Sequence, residues 1–198
     1  MKKIFFLLCV ALPFCFISCG NSVSSSAKSG GGDSVFSDTL QAYLHRLDSL
    51  RSSGELRHLN VYKLGKLKSI EFEVYSIESK IDTLQYINLR KDCGGEYYYD
   101  WEDATLLVEE VKYFISAIDT INANFDRSVK NEERYVYITN DDIRLFSENE
   151  NKADGKWEAS LSVDYSKKNS SISMSKEDFI TLKNLLQAGE KKIRELRK

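Results

Sequence analysis

Four aromatic side chains near the middle of the chain form the densest group of residues suited to binding. Tyr97, Tyr98 and Tyr99 follow Gly94-Gly95, and Trp101 comes two residues later. Tyrosine and tryptophan are favoured at binding surfaces because each combines a large apolar area with a polar group. In an extended segment Tyr98 points away from Tyr97 and Tyr99. We therefore take Tyr97, Tyr99 and Trp101 as candidate binding residues, with packing in the core as the alternative.

Few residues are arranged for catalysis. The two histidines, His45 and His58, fall on a predicted helix and at the start of a predicted strand, and the chain has no Gly-x-Ser-x-Gly motif. Cys93 could act as a thiol nucleophile, but no histidine can be assigned to it as a base. A surface or boundary position is the simpler interpretation of all three residues. No catalytic residue is assigned, and a protein without enzymatic activity is favoured.

Two acidic segments have the composition of metal-binding loops but not the spacing. An EF-hand loop needs oxygen ligands at its first, third and fifth positions and glycine at the sixth. Counting from Asn149, the fifth position is Ala153 and the sixth is Asp154. Asp141-Asp142 has the composition of a turn. We expect no metal ion and no cofactor. The paired carboxylates of a hydrolase would have to face each other across a cleft, which a sequence does not show.

Residues 1–18 are typical of an export signal. Two lysines follow Met1, an apolar segment extends from Ile4 to Ile17, and a small residue stands directly before Cys19. A helix that spans a membrane needs about 20 apolar residues. This segment is shorter and Pro13 interrupts it, so we expect cleavage rather than a transmembrane anchor.

The segment Ile17-Ser18-Cys19 resembles the lipobox of bacterial lipoproteins, with Phe16 where that family usually has an aliphatic residue. The resemblance implies cleavage before Cys19 and a diacylglycerol on its thiol, joined in many bacteria by a third acyl chain such as palmitate. Two or more acyl chains give stable membrane anchoring. Gly20, rather than Asp, follows the cysteine, which for this family implies the outer membrane and a periplasmic or surface-facing domain.

The charge and the cysteine content narrow the possible partners. Removal of residues 1–18 takes away two lysines and no acid, so the formal charge changes from -2 to -4. A mildly acidic protein is a poor candidate for nucleic-acid binding, which usually needs a basic face. Cys9 and Cys15 leave with the signal and Cys19 carries lipid. Cys93 then has no intramolecular disulfide partner, and one thiol cannot build a cysteine-based zinc site.

Residues 19–33 are rich in serine and glycine and predict a flexible tether after the lipidated cysteine. A folded domain is predicted over residues 34–198. Apolar residues at steps of three and four indicate a first helix over 34–52, in which Phe36, Leu40 and Tyr43 begin the apolar face. The stripe is expected to cover the protein's own sheet, with docking of a partner as the alternative.

Strands and two further helices follow the first helix. Alternating patterns predict strands near 57–64, 68–77 and 82–90, and later at 135–138, 143–147 and 157–165, with a short one at Ile172 and Met174. Asp100 is predicted to cap a second helix that extends to about Asn122. Ser175 and Asp178 form a capping-box pattern before the final helix. The pattern predicts an α+β fold with antiparallel sheet and three main helices.

The two halves of the domain share one order of elements, so repeats over 55–123 and 132–198 are an open hypothesis. The proposed alignment places Asp100 with Ser175, Leu107 with Leu182 and Ile118 with Ile193. Two units of β-β-β-α resemble in layout the paired repeats of PUR and whirly proteins, which bind single-stranded nucleic acid. No residue motif of those families is present, and the acidic charge argues against that activity here.

These patterns predict a membrane-anchored envelope lipoprotein that acts as a non-catalytic module for protein binding or assembly. One alternative is a hydrolase of cell-envelope polymers, for which converging carboxylates or a histidine in a deep cleft would be evidence. Another is a nucleic-acid-binding protein, for which a basic groove with exposed aromatics would be evidence. Apart from the membrane contact through Cys19, an envelope protein is the expected partner.

Overall fold

In the described part of the chain, alternating apolar residues form eight strands, which the computed structural model arranges in two antiparallel sheets. The structure describes residues 41–43, 45–46, 48–49, 57–80, 82–94, 101–129, 131–149, 156–164 and 169–198. Each sheet is followed by a helix, so the order of four strands and one helix occurs twice. The predicted α+β class is confirmed, and each unit has four strands rather than three.

The first helix, α1, contains the described residues 41–43, 45–46 and 48–49. The first unit consists of β1 (His58–Leu67), β2 (Ile70–Glu78), β3 (Thr83–Asp92), β4 (Trp101–Leu106) and α2 (Val108–Asn124). The second unit consists of β5 (Glu133–Ile138), β6 (Arg144–Asn149), β7 (Glu158–Ser162), β8 (Ser171–Met174) and α3 (Lys176–Leu196). In each sheet, strands that are neighbours in sequence pair antiparallel. No helix in the described part of the chain is long and apolar enough to span a membrane.

Helix α3 packs on the first sheet although it follows the second one. At Gly189 a Cβ atom would lie 2.6 Å from Cδ1 of Ile87 and 3.1 Å from Cδ1 of Leu64. Further along the helix, Lys192 Nζ lies 4.4 Å from the ring centroid of Tyr62 on β1. The helix therefore crosses β1 and β3 with its backbone close to the sheet.

Helix α2 reaches the second sheet. Phe114 stacks on Tyr137 of β5 with 5.2 Å between ring centroids. The buried Glu110 accepts a hydrogen bond at Oε1 from the backbone N–H of Asn140, just beyond β5, at 2.9 Å. Each of these helices thus contacts the sheet of the other unit. One core of buried residues is shared by both sheets and both helices.

The prediction that Asp100 caps the second helix is wrong. Residues Trp101–Leu106 form β4, and α2 begins only at Val108. Glu110 Oε2 accepts the backbone N–H of Leu107 at 3.1 Å and so satisfies a donor at the helix start. Residue 100 itself lies outside the described residues.

The alignment of the two halves is also different from the predicted one. When the starts of α2 and α3 are superposed in sequence, Val111 corresponds to Phe179, Phe114 to Leu182 and Ile118 to Leu186, and all six are buried. The predicted alignment instead placed Leu107, which precedes α2, with Leu182. The error in the helix start produced this shift. Descent of the units from one duplicated segment stays a prediction.

The last helix and most strands are confirmed near their predicted positions. Asp178 Oδ2 accepts the backbone N–H of Ser175 at 2.7 Å, and Ser175 Oγ accepts that of Asp178 at 3.4 Å, as a capping box requires. The described residues of α1 are helical, and Tyr43 packs on the first sheet with Leu84 and Tyr86. The expectation that this helix covers the protein's own sheet is confirmed for Tyr43.

Candidate functional site

Trp101, the predicted binding residue that the structure describes, begins the edge strand β4 and is 41% exposed. The guanidinium carbon of Arg90 lies 5.8 Å from its ring centroid, a cation–π contact. Tyr97 and Tyr99 lie outside the described residues, as does Cys19. The structure therefore shows an accessible tryptophan at the start of β4.

A polar network surrounds Trp101 on the face of the first sheet that α3 leaves uncovered. Arg90 Nε donates to Asp103 Oδ1 at 2.8 Å, and Arg90 Nη2 donates to Tyr75 Oη at 3.1 Å. Asn88 Nδ2 donates to Asp103 Oδ1 at 2.9 Å. Burial raises the pKa of Tyr75, and the charge of Arg90 opposes that shift. The groups of this network satisfy one another, which indicates a role in holding β3 to β4.

The other residues considered for chemistry are separated in the fold. His45 is exposed on α1, and exposed His58 has its Nδ1 3.8 Å from Glu78 Oε2. Cys93 is half-buried after β3, with its thiol 3.8 Å from the carbonyl oxygen of Lys91. Within the described ranges, no group of three or more His, Cys, Asp or Glu residues is placed to hold a metal ion.

The acidic pair predicted as a turn connects the two units. Asp142 has a positive φ of 56°, as one residue in a tight turn often does. Asp141 Oδ2 accepts the backbone N–H of Thr105 at 2.6 Å. This contact attaches the turn between β5 and β6 to the edge strand β4. The second acidic segment, Asn149 to Gly155, is described only at its first residue.

One edge of β5 is unpaired within the described part of the chain, where the sheet order is β5-β6-β7-β8. The backbone N–H of Thr139 donates to the carbonyl of Ile143 at 2.9 Å. This hydrogen bond determines which residue pairs between β5 and β6 are hydrogen-bonded. Hydrogen-bonded and non-hydrogen-bonded pairs alternate in an antiparallel ladder. The pair Val136–Phe146 is therefore non-hydrogen-bonded, and the N–H and C=O of Val136 point away from β6.

A groove of about 330 Å³ lies between this strand and α2, and we call it the β5 groove. Its lining residues come from one face of the helix and from three consecutive positions of the strand: Tyr113, Ser116, Ala117, Thr120, Ile121, Tyr135, Val136 and Tyr137. No lysine, arginine, aspartate, glutamate or histidine is among them, although charged residues make up 29% of the chain. The lining is apolar with hydroxyl groups at its margins.

Aromatic contacts hold the strand side of the groove in place. Tyr137 stacks on Phe114, and Tyr135 lies 5.5 Å from Trp157 between ring centroids. Trp157 Nε1 in turn donates to the carbonyl of Arg127 at 2.8 Å. Burial raises the pKa of Tyr137, so its hydroxyl stays protonated at physiological pH. These contacts fix both rings before any ligand arrives, which lowers the entropic cost of binding.

Exposed apolar side chains extend the groove over the outer face of β5. Val136 is 52% exposed and Ile138 is 47% exposed, and Tyr113 is exposed on the helix side. Val136 lies opposite Phe146, which is half-buried on the same face. A free strand edge, an apolar groove and exposed aliphatic residues are thus adjacent. Such a surface can accept an extended chain through backbone hydrogen bonds and pockets for alternate side chains.

The sequence contains a pattern that predicts this surface, but our candidate binding residues came from the aromatic group at 97–101 instead. A half-buried strand alternates apolar and polar residues, but Tyr135, Val136, Tyr137 and Ile138 are apolar on both faces. The second face is apolar although no described element covers it. The helix side of the groove could not be recognised, because its contact with β5 depends on where α2 crosses the second unit.

The sequence matches no family model. A search of curated proteins likewise finds no similar sequence.

Proposed function

We propose that the chain is a lipid-anchored envelope protein whose domain binds a partner protein without catalysing a reaction. The observation that carries the proposal is the edge of β5, which no described strand pairs with, beside the preformed β5 groove. In this proposal an extended segment of the partner pairs with β5 and places every second side chain in the groove. The anchor would be Cys19, in the lipobox-like segment, followed by the tether over residues 19–33. The outer membrane is the proposed location.

The composition of the groove supports a particular kind of partner segment. Because the lining is uncharged, a lysine or glutamate placed there would lose hydration without gaining an ion pair. Alternate apolar side chains, small enough for a groove of about 330 Å³, fit the site best. The groove contains no carboxylate or imidazole to act as a general acid or base, so its residues are suited to recognition.

Two substitutions at Val136 separate backbone pairing from side-chain contact. Val136→Pro removes the outward N–H but leaves the ladder to β6 intact, since proline is tolerated at edge positions whose N–H faces outward. Val136→Thr keeps the N–H and the β-branched shape. We expect the proline variant to lose at least about tenfold in partner affinity and the threonine variant to lose much less. Ile180, which is 57% exposed on α3, provides the matched control Ile180→Thr.

The partner should first be captured in the native envelope. A photo-crosslinking amino acid in place of Val136, and separately of Ile180, would be introduced into the full lipidated chain, with a Cys19→Ala version of each. We expect a specific adduct from position 136 that is reduced without the anchor. The purified partner would then be titrated against the Val136 variants. Equal binding by Val136→Pro and wild type, or equal adducts from both positions, would refute pairing at β5.

A further inference from the structure

A second cavity lies where α1, β3 and the ends of α2 and α3 meet. It has a volume of about 430 Å³, within the range of small-molecule sites. Its polar walls include Tyr43, Arg46, Gln85, Glu109 and Arg197. We call it the Tyr43 pocket. Groups of opposite charge from three helices and one strand therefore face a single space.

One of the charged groups is already paired. Arg46 donates to Asp82 through Nε at 2.6 Å and through Nη2 at 2.5 Å. This bidentate arrangement neutralises the guanidinium and fixes its position. Tyr43 Oη donates to the backbone carbonyl of Gln85 at 2.8 Å, so the floor of the pocket is also fixed.

The other two charged groups lack partners of opposite charge in the described part of the chain. Arg197 donates through Nε to Gln85 Oε1 at 3.3 Å, and that neutral amide leaves its terminal nitrogens available. Glu109 also lines the cavity and has no ion pair among the described residues. Its Oε2 is enclosed by protein without a hydrogen bond, so a ligand in the cavity would contact the other carboxylate oxygen. A cation and a carboxylate thus line the same cavity, and neither has an ion pair among the described residues.

The charges of Glu109 and Arg197 both affect the pKa of the Tyr43 hydroxyl group. Burial raises its pKa, and the negative charge of Glu109 raises it further. The positive charges of Arg197 and Arg46 oppose the shift. Glu109 and Arg197 line the same pocket as Tyr43, so both charges act on its hydroxyl across that space.

We propose that the Tyr43 pocket binds a small zwitterion of the amino-acid class, whose ammonium group pairs with Glu109 and whose carboxylate pairs with Arg197. A ligand with both charges satisfies both protein groups, whereas a ligand with one charge leaves the other group unpaired. Leu84 and Leu196 add apolar wall for the carbon chain of the ligand. The site uses no residue of the β5 groove, so its test is independent of the proposed partner binding.

Isothermal titration of the full chain in detergent would use glycine, β-alanine, γ-aminobutyrate and δ-aminovalerate, which differ in the number of methylene groups and therefore in the separation of their charges. Butyrate and butylamine are the singly charged controls. We expect at least one zwitterion to bind about tenfold more tightly than either control. Glu109→Gln and Arg197→Gln should each reduce that affinity at least tenfold, and Arg197→Lys should retain part of it.

Matched substitutions on the same helices control for a general loss of charge. Asp119→Asn on α2 and Lys191→Gln on α3 change exposed groups outside the pocket and should leave affinity unchanged. Circular dichroism of every variant checks that it is folded. Three results would each overturn the assignment: no zwitterion binds, butyrate binds as tightly as the best zwitterion, or Glu109→Gln and Arg197→Gln both bind like wild type.

Discussion

Arg46 and Asp82 join α1 to the turn between β2 and β3 through two hydrogen bonds. The hydrogen bonds from the Arg46 guanidinium hold the pKa of the Asp82 carboxyl below its ordinary value of 3.8. A carboxyl group whose pKa is lowered on folding contributes its full stabilisation above its unfolded pKa. That contribution is lost as the pH falls through the lower, folded pKa. The ion pair should therefore attach α1 firmly at neutral pH and weakly in acid.

Asp82→Asn tests this dependence. We expect the substitution to lower the free energy of unfolding by about 0.5–1 kcal/mol at neutral pH, because the pair is partly exposed but bidentate. The difference between wild type and variant should shrink as urea unfolding is repeated from about pH 7 down to about pH 3. High salt should reduce it as well. A difference in unfolding free energy that stays constant across this range would show that the contact between Arg46 and Asp82 does not depend on the charge of Asp82.

At the scale of elements, α3 approaches the first sheet so closely that position 189 has no room for a side chain. In an exposed helix Gly→Ala stabilises by about 0.5–1 kcal/mol. Here the new Cβ would lie 2.6 Å from Ile87 Cδ1, so we expect Gly189→Ala to destabilise by about 1–3 kcal/mol. Adding Ile87→Val removes Cδ1 and should recover part of that loss. Urea unfolding of the two single variants and the double variant measures the coupling.

Ala188, the exposed neighbour of Gly189, provides the control for helix propensity. Ala188→Gly changes only helix propensity and should cost about 0.5–1 kcal/mol. If Gly189→Ala stabilised the protein as it does in an exposed helix, the close contact between α3 and β3 would be wrong. If the double variant were simply additive, the contact with Ile87 would not be the cause of the loss.

Elements with a strong local pattern were predictable from the sequence, as the final helix shows. Its cap at Ser175 and its buried face depend on residues a few positions apart. The segment Trp101–Leu106 was not predictable, because its apolar residues continue into those of α2 and mimic one long helical stripe. What makes it a strand is pairing with β3, where Asp103 lies opposite Arg90 and Ala104 opposite Leu89. That pairing is a tertiary interaction, and local propensity does not contain it.

The candidate sites, like β4, could be predicted from the sequence only where they depend on local patterns. Val136 and Ile138 could have been noticed, since they are apolar on the second face of a short strand. The Tyr43 pocket could not, because Arg46, Glu109 and Arg197 come from three helices that are far apart in the chain. Only the crossing of α3 over the first sheet brings Arg197 to Gln85 of β3. Sites assembled by such crossings require the fold to be known first.

For the whole molecule, the contacts of each helix with the sheet of the other unit make each half depend on the other. The first sheet is contacted by α3, through Gly189 and Lys192, and the second by α2, through Phe114 and Glu110. A sheet without its helix exposes several buried apolar side chains, each contributing about 1.5–3 kcal/mol. Their sum is comparable with the total stability of a domain, about 5–15 kcal/mol. Unfolding should therefore be one cooperative transition.

Fragments test this dependence directly. We expect residues 34–129 and 131–198, produced separately, to lack the dispersed amide spectrum of a folded protein, and to form a folded one-to-one complex when mixed. A full chain with a protease site inserted between α2 and β5 is the control, since it should stay folded after cleavage because the cut spares both sheets and helices. Native-like spectra from either fragment alone would contradict this dependence and would mean that contacts within one unit are sufficient for folding.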